Sequence, residues 1–459
     1  MAAAAVGIFI ATFNADLYRP LVVSKLQEAL GGVPVKLERI SLGWRGGIVL
    51  RLKRLAIYPE PKGIYTDLAA RAEPSLQIEE IMLLVRPMPL LKKRLEIASV
   101  ALIRPHLRLA RGAGGAFQME GVPFPPGKKP SAVPDSSSAA GGSPPPAVLP
   151  PAKKSSLGSL EMPSLAVDRV EVEQGVLRVS DPNLKPPAEW LIEQVDLEAG
   201  IREDRVDLKK LSGQIGDGKV LISGKAENLK SEPKIQFKVT AEKLPLVKLL
   251  PAPEAEPHLT GELSGSFQGT VQGRNANAIS KSFSGDGKIQ VTHPVLVNLN
   301  VLQEVFKRIS IIPGLVDLLQ SRLPVSYREK LNARDTVFES IDLTANVAQG
   351  ALLFENLRLA SDTFALAGGG RLGMDGTISS QMQLKISPEL SAAIIQSVKE
   401  FQALTGSDGR VEFPVRVEGT LPRVNILPDV SYLASHMIVN KVEDLLGGLL
   451  EKALEKKSK

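Results

Sequence analysis

Apolar and polar side chains alternate with a period of two over much of the chain. In residues 340–347, Ile341, Leu343, Ala345 and Val347 fall on one face, and Ser340, Asp342, Thr344 and Asn346 on the other. Beyond glycine steps at Gly350 and Gly368-Gly369-Gly370, Ile378, Met382, Leu384 and Ile386 oppose Thr377, Ser379, Gln381, Gln383 and Lys385. Residues 234–240 repeat the pattern, with Ile235, Phe237 and Val239 set against Lys234, Gln236, Lys238 and Thr240. Alternation broken by glycine turns predicts half-buried antiparallel strands. The expected fold is mainly β, a long curved antiparallel sheet with one apolar face and one wetted face. What covers the apolar face is the functional question.

The pattern divides the chain into six stretches. Residues 1–15 hold an apolar run, 2–13, which includes Val6, Ile8, Phe9, Ile10 and Phe13. A β domain is expected over 16–112. It opens with a helix at 16–30, where Leu17, Leu21, Leu26 and Leu30 recur near helical spacing and Gly31-Gly32 signals a stop. Strands follow at 33–40 and 47–57, the second carrying Leu55 and Ile57 one step out of phase with Leu50 and Leu52. Residues 113–157 are rich in Pro, Ser, Gly and Ala and read as a linker, because they hold too little apolar surface to offset ordering entropy. A middle β-rich region spans 158–275 and includes a hairpin turn at Gly216-Asp217-Gly218. A C-terminal β-rich region spans 276–430, and short helices are expected at 244–250 in the middle region and at 299–319, with a break at Pro313-Gly314, and 389–404 in the C-terminal one. The last stretch, 431–459, places Val442, Leu445, Leu446, Leu449, Leu450 and Leu454 on one face of an amphipathic helix.

Composition narrows the function. Aromatic residues make up 4% of the 459, so the apolar content is mostly aliphatic, which suits a repetitive sheet better than a shaped enzyme pocket. Lys and Arg number 56 against 50 Asp and Glu, spread along the chain, and no basic stripe with stacking aromatics indicates nucleic acid. With no cysteine there is no disulfide and no thiolate metal site. The four histidines, His106, His258, His293 and His436, have no partners at metal-ligand spacing. Residues 368–373 satisfy the literal G-x-G-x-x-G pattern. Phosphate binding by that pattern needs a helix after it, and here an alternating strand is expected, so the glycines read as a kink in a curved sheet. No catalytic residue, metal or cofactor is expected, and the chain is not read as an enzyme.

The apolar run 2–13 supplies 12 residues, whereas about 20 are needed for a helix to cross a bilayer. No Lys or Arg precedes it, so it lacks the charged start of a signal peptide. Three readings stay open: a transmembrane helix whose start has been trimmed, a weak signal-peptide core, and a buried or interfacial helix. For the sheet, two readings stay open as well. Two apolar faces can close on each other as a sandwich, or one face can form a groove in which lipid chains take the place of the second layer.

Several short stretches in order resemble the AsmA family. They are residues 16–20 (Asp-Leu-Tyr-Arg-Pro), 32–36 (Gly-Val-Pro-Val-Lys), 49–57, 90–97 and 102–109 towards the N-terminus. Towards the C-terminus they are 283–287 (Phe-Ser-Gly-Asp-Gly), 312–315 (Ile-Pro-Gly-Leu), 338–350, 357–370 and 419–424. The resemblance covers most of the chain outside the linker. It implies an envelope protein of Gram-negative bacteria with an inner-membrane helix at its N-terminus and a periplasmic β-rich body akin to bridge-like lipid-transfer proteins. The implied role is outer-membrane biogenesis, with phospholipid or another acyl-chain lipid carried in an apolar β-groove. Envelope proteins are possible partners. The alternative is a structural or assembly factor for outer-membrane proteins, with a closed β-sandwich core and no lipid transfer. Candidate groove residues are Ile235, Phe237, Val239, Ile341, Leu343, Val347, Ile378, Met382, Leu384 and Ile386. With about 18 to 20 strands spaced about 4.8 Å apart, such a groove is on the order of 90 Å long.

Overall fold

A computed structural model describes residues 14–60, 73–88, 96–112, 115–122, 167–250, 256–421 and 423–437. The candidate anchor residues Val6, Ile8, Phe9, Ile10 and Phe13, most of the expected linker, and the tail residues Val442, Leu445, Leu446, Leu449, Leu450 and Leu454 lie outside these. Among the described residues no helix is long and apolar enough to cross a membrane. Among the described residues the fold is mainly β, with nineteen strands that pair antiparallel. The chain divides into two compact units, 1–175 and 176–459.

The first unit opens with a 3-10 turn, Ala15–Tyr18, and helix α1, Arg19–Ala29, with Pro20 in its first turn, where a missing N–H costs nothing. Strands β1 (Val35–Trp44), β2 (Ile48–Ile57), β3 (Leu76–Val85) and β4 (Ile97–Arg111) then pair in sequence. A short β5, Phe117–Met119, adds to the end of β4, and Val122 is buried in the core. Residues 117–122, placed in the linker by their composition, therefore belong to this unit. The core gathers Val35, Leu37, Ile40, Leu52, Leu55, Ile57 and Ile78 under Val22, Val23 and Leu26 of α1 and Leu30 just after it. Arg54, at φ 50°, interrupts the alternation while β2 keeps an unbroken register with β1 and β3, and Leu52 and Leu55 reach the same core despite their phase slip. Leu17 and Leu21, part of the expected helical stripe, instead face outward at 76% and 58% exposure.

The divide falls within β6 (Val167–Asp181). Strands β7 (Ala188–Arg202), β8 (Arg205–Ile215), β9 (Gly218–Glu227) and β10 (Lys234–Pro245) form a meander in the second unit. The turn between β8 and β9 is at Gly216 and Asp217, with Gly216 at φ 58°. A single helical turn, α2 (Leu246–Leu249), leads to β11 (His258–Gln272), then α3 (Ala276–Ser282) and β12 (Ser284–Val297). Three helices follow, α4 (Val301–Lys307), α5 (Leu315–Arg322) and α6 (Val325–Asn332), the last unmarked by the hydrophobic pattern. A two-residue β13 (Thr336–Val337) and β14 (Ser340–Ala348) pair with β12. Then come β15 (Ala351–Ala360), β16 (Phe364–Gly373), β17 (Thr377–Ile386), α7 (Pro388–Ser397), a 3-10 helix Lys399–Leu404, β18 (Glu412–Thr420) and β19 (Arg423–Pro428). The glycines Gly368 to Gly370 lie inside β16, and β17 follows them, so the helix that a dinucleotide site requires is missing from that position.

Candidate functional site

The apolar face of the second unit has two different environments. Over β15–β19 it is roofed. Helices α4 to α7, the 3-10 helix and the last described residues bring Val305, Phe306, Leu319, Ile394, Phe401 and Leu433 down onto Leu366, Leu384, Ile386, Phe413 and Val415. Leu384, Ile386, Phe401 and Phe413 have 0% exposure. Met382, Leu384 and Ile386 are therefore core positions. This corrects their expected place in a groove, and the physical reason is that protein side chains already fill the space above them. The roof is held by polar anchors that periodicity does not reveal. Asn300 accepts from Gln303 N at 2.9 Å as the cap of α4, and its Nδ2 donates to Lys330 O and Ala333 O at 2.9 and 2.8 Å. The buried Ser391 hydroxyl donates to Ile386 O and accepts from Val411 N, tying α7 to the strands beneath it.

Over β9–β12 and β14 the same face carries apolar residues in three registered rows. One row runs Val220, Ala241, Gly265, Ile289 and Leu343, the next Ile222, Val239, Phe267, Gly287 and Ala345, and the third Gly224, Phe237, Gly269, Gly285 and Val347. Ile222, Val239, Phe267, Ile289 and Leu343 are partly buried, and Ile235 is 38% exposed. Glycine forms the floor because the adjacent strand comes too close for a side chain. A Cβ on Gly265 or Gly285 would lie 2.3 Å from the carbonyl oxygen of Lys288 or Gln268. Aromatic rings fill the space above, with Phe237 over Gly269 and Phe267 over Gly285 and Gly287. Phe237, Phe267 and Phe283 form one cluster with centroids 5.9 to 6.1 Å apart. Phe267 and Phe283 were not among the candidate groove residues. Their signal was available, since phenylalanine beside glycine on paired strands is a recurring way to cover a close backbone approach.

The far end of this face is closed by α2. Leu246 packs on Val291 and Ile341, with Leu249, Leu259 and Leu263 around them. Trp190 Nε1 donates to Leu249 O at 3.2 Å and fixes the turn. Ile341 is thus buried at 6% exposure, and Val347, six residues further along β14, is buried at 4%, so neither takes its expected place in an open groove, while Leu343 and Ile378 are partly buried. Of the expected groove residues, the structure brings Ile235, Phe237, Val239 and Leu343 together on the part that no described helix roofs, with the buried Val347 in the same row as Phe237.

The three rows contain no ionisable side chain, so this face supplies no acid, base or nucleophile. Among the described residues no group of three or more His, Asp or Glu suits a metal ion. Shifted titrations occur at the opposite, wetted face. The Lys385 ammonium donates to Asp408 at 2.9 Å and Glu412 at 3.3 Å, which holds it above its usual range, and Lys385 in turn holds the Asp408 carboxyl below its own. These groups are exposed and form a surface ion pair. A concavity of about 990 Å³ is lined by Lys209, Lys225, Lys238, Gln268 and Asp286 together with Phe237 and Val347 of the third row. Its charges are mixed, and Lys209 already pairs with Glu198 at 3.0 Å. What the apolar rows can do is take up hydrocarbon, at about 0.8 kcal/mol for each methylene removed from water. Neither the known protein families nor the characterised proteins give a match to this chain.

Proposed function

We propose that the protein is anchored in the inner membrane with its body in the periplasm, and that it serves outer-membrane biogenesis by carrying phospholipid or another acyl-chain lipid on the unroofed apolar face. The observation that carries this reading is the contrast within one sheet. Over β15–β19 the face has a protein roof, whereas over β9–β12 it carries aliphatic and phenylalanine side chains that are only partly buried. An acyl chain laid along the rows of Val239 and Ile289 completes the missing layer without requiring any polar partner. No catalytic step is involved.

The test is native mass spectrometry and lipid extraction of the protein purified from membranes in mild detergent. Co-purifying phospholipid that is lost in Val239→Asp, with folding retained, is the expected result. Lipid-free protein with an unchanged Val239→Asp variant overturns the proposal. The second reading, an assembly factor for outer-membrane proteins with a closed core, is favoured by the roofed half. It predicts that protein partners, and not lipid, are recovered.

A further inference from the structure

We propose that the end of the first unit bearing the β1–β2 tip docks on a phospholipid bilayer, with Trp44 at the level of the headgroups. The inference rests on membrane anchoring in the reading above, and adds the surface by which the folded body meets the membrane.

Helix α1 covers only part of the apolar face of the first unit. At its start, Ile40 N donates to Asp16 Oδ1 at 3.0 Å and Arg19 donates to Glu38 O at 2.6 Å, so the beginning of the helix stands over 38–40 of β1. Its other end leads through Gly31 and Gly32 to the buried Val33 at the opposite end of that strand. The last four residues of β1 therefore run about 13 Å beyond the helix start. On this overhang Leu42 and Trp44 continue the face of Ile40. They are in register with Leu50 and Ile48 of β2, and these with Leu83 and Val85 of β3.

The overhang is apolar yet uncovered at its tip. Trp44 is 52% exposed, and Met88, three residues past β3 at the same end, is 74% exposed. Leu17, Tyr18 and Leu21, near the start of α1, are also exposed. Arg45 follows Trp44 in the exposed turn. Tryptophan, tyrosine and a cation beside aliphatic side chains are the composition that partitions into the bilayer interface. The position agrees with the chain's path. The apolar run 2–13 immediately precedes Asn14, so the hydrocarbon-seeking segment joins the body next to this overhang. A water-facing loop would gain nothing from exposing Trp44 and Met88 together, whereas at a headgroup boundary both apolar bodies leave water and Arg45 meets phosphate.

The chain has two tryptophans and no cysteine, which makes the proposal directly measurable. The full chain carrying Trp190→Phe, leaving Trp44 as the sole tryptophan, is reconstituted into phosphatidylethanolamine/phosphatidylglycerol vesicles with brominated acyl chains. Flotation separately reads whether the protein is membrane-bound. The expected result is co-flotation with at least a twofold loss of Trp44 fluorescence to the bromolipid and little quenching by iodide. Co-flotation with iodide quenching and no bromolipid quenching overturns the docking surface and leaves the anchor standing. Quenching by neither reagent also overturns it, since the chain's own residues or a bound protein then cover Trp44. Failure to float overturns both docking and anchoring. If Trp190→Phe does not fold, Met88→Cys carrying a nitroxide gives the same reading through its relative relaxation by oxygen and by a water-soluble nickel complex. Greater relaxation by the nickel complex overturns the proposal.

Discussion

Strands β10–β12 and β15–β19 have the same alternation of apolar and polar residues, and their apolar faces end in different surroundings. Beneath the helices, Leu384, Ile386 and Phe413 are enclosed on every side. On β10–β12, Val239, Phe267 and Ile289 sit over a glycine floor and remain partly buried. The comparison teaches that one strand pattern serves as core or as working surface, depending on whether another segment of chain supplies the second layer. It also separates two kinds of substitution, those that remove the fold and those that remove only what the face holds.

The largest expected effect is at Leu384. Leu384→Asp buries an unpaired carboxylate in the roofed core and should unfold the second unit, a cost above about 4 kcal/mol. Val239→Asp should leave the unfolding free energy within about 1 kcal/mol of wild type, because its carboxylate can reach water. Equal unfolding by both variants, followed by circular dichroism in urea, would erase the distinction between the two regions.

Truncating aromatic rings sharpens it further. Phe401→Ala should cost about 3 to 5 kcal/mol as a cavity in the roof, while Phe237→Ala should cost less and reduce the phospholipid recovered on extraction. Gly285→Ala is expected to fall between them, about 1 to 3 kcal/mol, since the methyl group must displace the Gln268 carbonyl or the Phe267 ring. A neutral Gly285→Ala would mean that the floor is not tightly bent.

The smallest effect is at the wetted surface. The Asp408 carboxyl is held below its ordinary value by Lys385, so the stabilisation is present above the unfolded-state value and is lost as pH falls through the lower folded value. Lys385, held above its ordinary value by Asp408 and Glu412, loses its contribution only as pH rises through the alkaline range. Asp408→Asn should therefore flatten the acid limb of a thermal-stability profile slightly and leave lipid recovery unchanged.

Much of the sheet was legible because a period of two records which side chains point the same way. The hairpin at Gly216-Asp217 and the phase slip at Leu55 were each marked by residue type, whereas Gly368 to Gly370 lie in a strand of continuous register with β17 and the irregularity falls on the neighbouring β15, between Phe354 and Leu357. The helix at 16–30 was legible as an element, but the outward placement of Leu17 and Leu21 was not, since helical spacing does not say which turn meets the sheet. Helix α6 left no hydrophobic signature because only Leu331 is buried in it. Asn300 and Ser391 were invisible as anchors because the partners that tie them across the roof, Ala333 and Val411, lie 33 and 20 residues away in the chain.

By itself the sequence determined a mainly β chain, the two faces of its strands and the positions where glycine lets them approach. Only the tertiary structure decided that Met382, Leu384 and Ile386 are core while Phe237 and Val239 are not. The reason is physical: burial depends on what stands opposite a side chain. For the roofed strands the opposite layer comes from residues 301–332 and 388–437, segments whose own patterns say that they must cover something but not where they lie.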